Sequence, residues 1–326
     1  MSEAQAIASG SASADGSVWR RLGRWLAQER VFRLIPFVLV EGVFVLVIII
    51  PFLLMVYISF LKWRANRPFE QAFLSGFDNY AQVLTAPGFW AALGRTFYFA
   101  GCAVTLELVL GFVLAMLVAR TVRGKGVYIT ILLIPMMIVP VVVGYNFTML
   151  YIDSGPINQL LAPFLEPFGI NPRIRWLSSP TAAQWSVILS DVWQWTSLTF
   201  LIFLSGFSAL PKQLINAARV MGASPWQIFW RVELPLLKPA IVIAVVIRSM
   251  EALKLFDPVV LLTAGGPGTS TQTIAFYLWE QVWVFNKFSF GAAASILLLI
   301  IFASLIFFGI YLLVRQSAEV AQQRMS

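Results

Sequence analysis

The sequence predicts an all-α fold, a polytopic membrane protein with six transmembrane helices. Three observations carry that prediction. Hydrophobic residues make up 59% of the 326 and charged residues only 12%, outside the range of a soluble domain. Several apolar runs exceed the roughly 20 residues that a helix needs to cross a bilayer. Lys and Arg are divided unevenly among the segments joining those runs, the asymmetry that orients membrane helices.

The same totals exclude whole classes of chemistry. The chain has no histidine and one cysteine, Cys102, which lies in an apolar run. Cys/His metal sites, intrachain disulfides and histidine acid–base catalysis are therefore excluded. The net charge of +8 reads as membrane orientation and not as a nucleic-acid footprint.

Taken in order, residues 1–16 are rich in Ser, Ala and Gly and predict a disordered tail. Arg20, Arg21, Arg24, Arg30 and Arg33 precede an apolar run from Leu34 to Leu61. That run is too long for a signal peptide and lacks an A-x-A cleavage pattern, so it is an uncleaved first span. The six spans are placed at 34–61, 96–119, 127–151, 183–209, 240–262 and 292–314. Most cations outside the spans fall before the first, in 120–126, in 210–239 and after the sixth, which puts both termini and the 210–239 loop in the cytoplasm. The opposite loops, 62–92, 152–182 and 263–291, are long and hold Trp63, Trp90, Trp176, Trp279 and Trp283. An aromatic belt at the membrane surface and an external docking surface both fit these residues.

Residues 216–235, NAARVMGASPWQIFWRVELP, are amphipathic in a chain that is otherwise oily. Pro211 suits a first helical turn, and the apolar pattern runs through Leu214, Ile215, Ala217, Ala218 and Met221 to Gly222, a usual stop. Ser224-Pro225-Trp226-Gln227 reads as a capping box that opens a second helix, which Pro235 ends or bends. Such a helix pair fits lipid headgroups or a protein partner equally well by periodicity.

Glu41, Glu107, Asp191, Arg248, Glu251, Lys254 and Asp257 fall within apolar spans, where each costs about 2.5–3.5 kcal/mol at a helix centre. On the fifth span, at about 100° per residue, Arg248, Glu251, Ala252 and Leu255 share one face and Asp257 lies opposite. Two readings stand: an intrahelical ladder pairing Arg248 with Glu251 and Lys254 with Asp257, or the wall of a translocation path. No G-x-x-x-x-G-K-[ST] phosphate loop is present, and Gly265-Gly266-Pro267-Gly268-Thr269 reads as a turn.

Ala217-Ala218, Gly222-Ala223-Ser224, Trp226-Gln227 and Leu234-Pro235 resemble the EAA loop of permease subunits of bacterial ABC importers. Phe77-Asp78-Asn79-Tyr80, Asp191-Val192-Trp193 and Phe256-Asp257 leading to Leu262-Thr263-Ala264-Gly265-Gly266-Pro267 resemble the sugar-importing, MalF-like branch. The resemblance covers residues 77–314. It implies a type I ABC importer transmembrane domain over 93–314, with a coupling loop at 211–235. Flanking it would be a cytoplasmic tail and basic segment (1–33), the first helix and external loop (34–92), and a cytoplasmic tail (315–326).

By this resemblance Asn216, Ala217, Ala218, Met221, Gly222, Ala223, Leu234 and Pro235 contact the ATPase. Asn216 stands where the family usually has an acid, which replaces a charged contact by an amide hydrogen bond. Arg248, Glu251, Ala252 and Leu255, with Gln194, Trp195 and Leu198 and, more weakly, Asn146, would face the substrate. These types suit a sugar, and a mid-membrane arginine also admits an anionic derivative. The implied partners are a second homologous permease, two ABC ATPase subunits, an extracytoplasmic solute-binding protein and the lipid bilayer. ATP and magnesium would belong to the ATPase, leaving this chain no cofactor, metal or catalytic residue of its own. The implied location is the bacterial inner membrane, multi-pass. A self-contained proton- or sodium-driven secondary transporter is the alternative, though such folds usually carry internal repeats and this sequence shows none.

Overall fold

The computed structural model describes residues 29–64, 66–120, 123–169, 171 and 173–323, with side chains before 37 and after 307 outside that description. The predicted tail over 1–16 lies outside the described residues. The described chain is helical apart from one two-stranded ribbon and its loops, and it divides into two compact units.

The first unit holds residues 1–80 and 288–326. Helix α1 (Glu29–Phe44), a π-helical turn (Val45–Ile49) and α2 (Ile50–Ser59) form the predicted first span. Pro51 lacks an N–H and crowds the preceding turn, and the wider π spacing falls directly ahead of it. A ribbon follows, β1 (Leu61–Lys62) against β2 (Phe73–Leu74), antiparallel with Leu61 opposite Leu74. The end of α2 leaves carbonyls without helical partners. Asn79 covers two of these, donating its amide to the carbonyls of Ser59 at 2.8 Å and Leu61 at 2.7 Å. That gives Phe77-Asp78-Asn79-Tyr80 a structural role. The final helix (Phe288–Gln323) packs on α2, so the predicted sixth span lies in the same compact unit as the first. It also runs on through residues 315–323 as helix.

The second unit, residues 81–287, is built on two long helices. Helix α3 (Asp78–Thr85) leads into α4 (Pro87–Arg120), whose partner is α8 (Pro180–Ser208). They approach closely at Gly111, where a Cβ would lie 2.1 Å from Thr199 Oγ1 and 2.8 Å from the Phe200 nitrogen. Between them in sequence come α5 (Lys125–Met137), α6 (Pro140–Leu150) and α7 (Pro156–Leu165).

The predicted third span, 127–151, is not one helix. It breaks at Ile138 and Val139 with a 94° bend between α5 and α6. Pro140 forces this: it has no N–H for a continuing helix, and it drives Val139 into extended backbone with ψ 134°. The predicted fifth span, 240–262, is also interrupted. Helix α11 (Leu234–Ala252) ends at Ala252, and a separate α12 (Asp257–Leu262) begins after the four residues 253–256. In an unbroken helix Pro258 would crowd the Lys254 carbonyl; at the first turn of α12 it is tolerated. Thr273 donates its hydroxyl to the Leu255 carbonyl freed by the break, at 2.8 Å.

Among the described residues, four helices are long and apolar enough to cross a membrane: Phe37–Ser59, Pro87–Arg120, Pro180–Ser208 and Phe288–Phe307. The bent α5–α6 pair would make a fifth. Helix α11 falls short by carrying Lys238, Arg248 and Glu251. Of the six predicted spans, four are continuous helices, the third is the bent pair, and the fifth is interrupted with its longer piece too charged to be counted with the others.

Candidate functional site: a capped turn and a charged cleft

The segment 211–235 folds as its turn residues dictate. Helix α9 (Lys212–Val220) stops at Gly222, whose φ of +81° is the left-handed conformation that glycine adopts without strain. The backbone N–H of Ala223 reaches back to the Ala218 carbonyl at 3.0 Å and closes the helix end. Ser224 then forms the predicted capping box with Gln227: its N–H donates to Gln227 Oε1 at 2.8 Å, and its Oγ accepts from the Gln227 N–H at 3.3 Å.

The second helix departs from expectation. Pro235 does not end it; α10 (Pro225–Ile228) passes through a π-helical turn (Phe229–Glu233) directly into α11. The backbone is right-handed helical from Pro225 to Ala252, a rod roughly 40 Å long at about 1.5 Å per residue. At its tip Val220, Met221 and Trp226 are 89%, 80% and 69% exposed. Asn216, Ala217, Gly222 and Pro235 are exposed, Ala223 and Leu234 partly buried, and Ala218 buried. Three large apolar side chains facing outward around a tight turn form a surface that calls for a partner.

The other end of the rod enters a cleft of about 140 Å³ lined by Pro140, Asp191, Gln194, Trp195, Arg248, Glu251, Lys254, Leu255, Phe256, Asp257 and Pro258. Of the predicted substrate residues, Arg248, Glu251, Leu255, Gln194 and Trp195 come together here. Leu198 and Ala252 do not line it; Ala252 packs with Ala100 and Val104 on α4. Asn146 lines a different, apolar pocket with Val143, Phe147, Met149, Leu150 and Trp193.

The charges pair differently from the predicted ladder. Arg248 does not bond Glu251; it crosses to two other helices. Its Nε and Nη2 both donate to the Glu107 carboxylate on α4, Nη2 at 2.7 Å, and Nη2 also donates to Asp191 Oδ2 on α8 at 2.9 Å. All three are sealed, with Arg248 1%, Glu107 0% and Asp191 3% exposed. The guanidinium lies 5.2 Å from the Trp195 ring centre, a cation–π contact. Lys254 donates to Glu251 Oε1 at 3.1 Å, so the second ladder pair is not with Asp257. Because the helix breaks ahead of it, Asp257 lines the same cleft instead of the opposite face. Gln194 is held from below, its amide donating to the Ile138 carbonyl at the α5–α6 bend at 2.8 Å.

Sequence reasoning placed Glu107 and Asp191 in the membrane without joining them to Arg248. It left the outer aromatics open, and the structure divides them. Trp176 is partly buried, its ring tilted at 38° to that of Tyr151 and its Nε1 donating to Asn158 Oδ1 at 2.8 Å, while Trp283 is exposed.

Residues 107–320 match the family described as the binding-protein-dependent transport system inner membrane component. The chain belongs to this family. It is the inner-membrane permease subunit of an ABC importer, and the ion-driven secondary transporter is set aside. The chain is 37% identical to a probable ABC transporter permease of Sinorhizobium fredii, over 78% of this chain and 80% of that one. It is 33% identical to the trehalose/maltose transport system permease MalF of Thermococcus litoralis, over 70% and 76% respectively. The fold is similar to a bacterial alginate ABC transporter chain, with a TM-score of 0.72 at 21% identity, covering 87% of this chain and 94% of that one. The family is one of transport permeases, not of enzymes.

Proposed function

We propose that this permease imports a neutral sugar or neutral sugar derivative, forming half of the translocation path. The observation that carries this reading is the state of the cations in the cleft. Arg248 is bound by two carboxylates and Lys254 by Glu251, while Asp257 forms no salt bridge among the described residues. Three acids and two bases line the cleft, with Glu107 behind them. An anionic ligand would meet net negative charge and would have to displace a buried carboxylate to reach Arg248. Neutral hydroxyls, in contrast, find acceptors on Asp257 and Glu251, and an aromatic edge in Trp195. The trehalose and maltose named for relatives are consistent with that class.

In this reading the rod's exposed tip, Val220 to Trp226, docks on one of two cytoplasmic ATPase subunits that hold ATP and magnesium. This chain supplies no catalytic group. A second permease completes the path, and an extracytoplasmic binding protein delivers the sugar. Both termini and the 211–235 segment are cytoplasmic, as the Lys and Arg distribution requires. Transport is alternating access: closure of the ATPases pulls the tip, and the rod carries that movement to Arg248 and the cleft.

The test is mild solubilisation of the tagged chain and identification of what co-purifies, followed by uptake competition. An ATPase and a second permease, with competition by a neutral disaccharide and none by a uronic acid, are expected. Recovery of the chain without an ATPase refutes the assembly, and stronger competition by the uronic acid refutes the neutral-sugar reading.

A further inference from the structure

The rod is tied to α4 by ions at two places. Near its tip, Glu233 pairs with Arg120 at 3.0 Å, and near the cleft Arg248 pairs with Glu107. Arg120 and Glu233 are partly exposed to solvent, so that pair is weak and replaceable. The pair at the cleft is sealed, and its geometry is a fork, two guanidinium nitrogens on one carboxylate. The segment between the ties is packed: Ala115, Val118 and Ala244 are buried together with Phe200, Phe203 and Leu204 of α8.

Glu107 itself is well held. Its side chain is fully buried, and its backbone carbonyl accepts from Thr199 Oγ1 at 2.8 Å, one turn from the Gly111 contact that clamps α4 to α8. It does not line the cleft. It therefore belongs to the α4–α8 body and reaches the cleft only through Arg248.

We propose that Glu107 is a positioning residue that fixes the angle of the Arg248 guanidinium, so that movement of the rod reaches the cleft with its direction kept. Asp191 alone neutralises Arg248 but holds it by a single hydrogen bond, which with the Trp195 ring fixes the guanidinium less firmly than the fork does. The second carboxylate is thus not needed for charge balance. A buried carboxylate retained without that need, at a cost in desolvation, fits a role in geometry. This proposal rests on the importer reading above, since it concerns transmission from the ATPase contact.

The test uses the assembled transporter with its binding protein. Glu107→Gln removes the fork but leaves the Arg248–Asp191 pair charge-balanced, so assembly is kept. Basal ATPase activity is expected to stay within about twofold, and stimulation by sugar-loaded binding protein to fall about tenfold, a usual size for coupling between sites. The uptake KM is expected to be unchanged while the maximal rate falls, because Glu107 does not touch sugar. Wild-type stimulation in Glu107→Gln overturns the proposal. So does a raised KM at unchanged maximal rate, which would make Glu107 part of the sugar site, and so does a loss that tracks only the amount of assembled complex. Should Glu107→Gln not assemble, Glu107→Asp keeps the charge but shortens the reach to Arg248; it is expected to assemble with reduced stimulation, and full stimulation in it overturns the proposal. A wild-type transporter that lacks stimulation by loaded binding protein fails the importer reading instead.

Discussion

Gly111→Ala tests whether α4 and α8 move as one body. The added methyl would sit 2.1 Å from Thr199 Oγ1, 2.8 Å from Thr199 Cβ and 2.8 Å from the Phe200 backbone nitrogen. The hydroxyl cannot simply swing away, because its one O–H is shared between the Glu107 carbonyl at 2.8 Å and the Thr196 carbonyl at 3.0 Å. The backbone nitrogen belongs to the middle of α8 and cannot move alone. The helices must separate locally, breaking the Thr199–Glu107 bond and loosening the packing around Phe200 and Phe203. Overpacking of this kind costs about 1–3 kcal/mol, and the lost hydrogen bond adds about 1 kcal/mol. The assay is the thermal inactivation midpoint of the detergent-purified transporter, expected to fall in Gly111→Ala and to recover in part in Gly111→Ala/Thr199→Ala, where the hydroxyl contact is gone and the Cβ and backbone contacts remain. A midpoint equal to wild type in the single variant refutes the close approach, and with it the rigid α4–α8 body.

Arg248→Ala leaves Glu107 and Asp191 buried without their cation; assembly, read as the yield of intact complex, is expected to drop by an equilibrium cost of about 3–5 kcal/mol. A yield equal to wild type would mean that the triad contributes nothing. Gly222→Trp places a large side chain at φ +81°, where a non-glycine residue strains the turn, with open space around the added Cβ. The chain is expected to reach the membrane and to lose transport through the bulk and the strained turn together; normal uptake removes this turn from the coupling contact. A reporter after Ser326 or at 123–126 is expected to read cytoplasmic and one at 160–165 external, and the reverse labelling overturns the orientation.

Local chemistry made the capped turn at 220–227 legible from sequence. Gly222 and the Ser224–Gln227 box specify their conformations through bonds within a few residues, and both form as read. The long apolar helices were legible for the same reason, since hydropathy needs no knowledge of neighbours. Prolines misled where their effect depends on context. Pro140 and Pro258 start new helices and break predicted spans, while Pro235 is carried by a π-helical turn within a continuous rod. A proline signals a disturbance, and tertiary packing decides its form.

Pairing of the buried charges was not legible along one helix. Arg248 has Glu251 three residues on, so a local ladder and a path-lining face both fit the sequence of that span. The stronger signal lay elsewhere: Glu107 and Asp191 have no Lys or Arg within four residues of themselves. A carboxylate in an apolar helix with no local cation must find one on another span. Helical phase likewise placed Asp257 opposite Arg248, and the break at 253–256 undid that phase.

Uptake by the reconstituted assembly tests the central claim most directly. Proteoliposomes holding this chain, the co-purifying subunits and the binding protein are supplied with a labelled neutral disaccharide. Uptake is expected only when ATP is present on the cytoplasmic side and the binding protein is loaded, with no effect of collapsing proton and sodium gradients. Uptake that follows an ion gradient and proceeds without ATP would contradict the account.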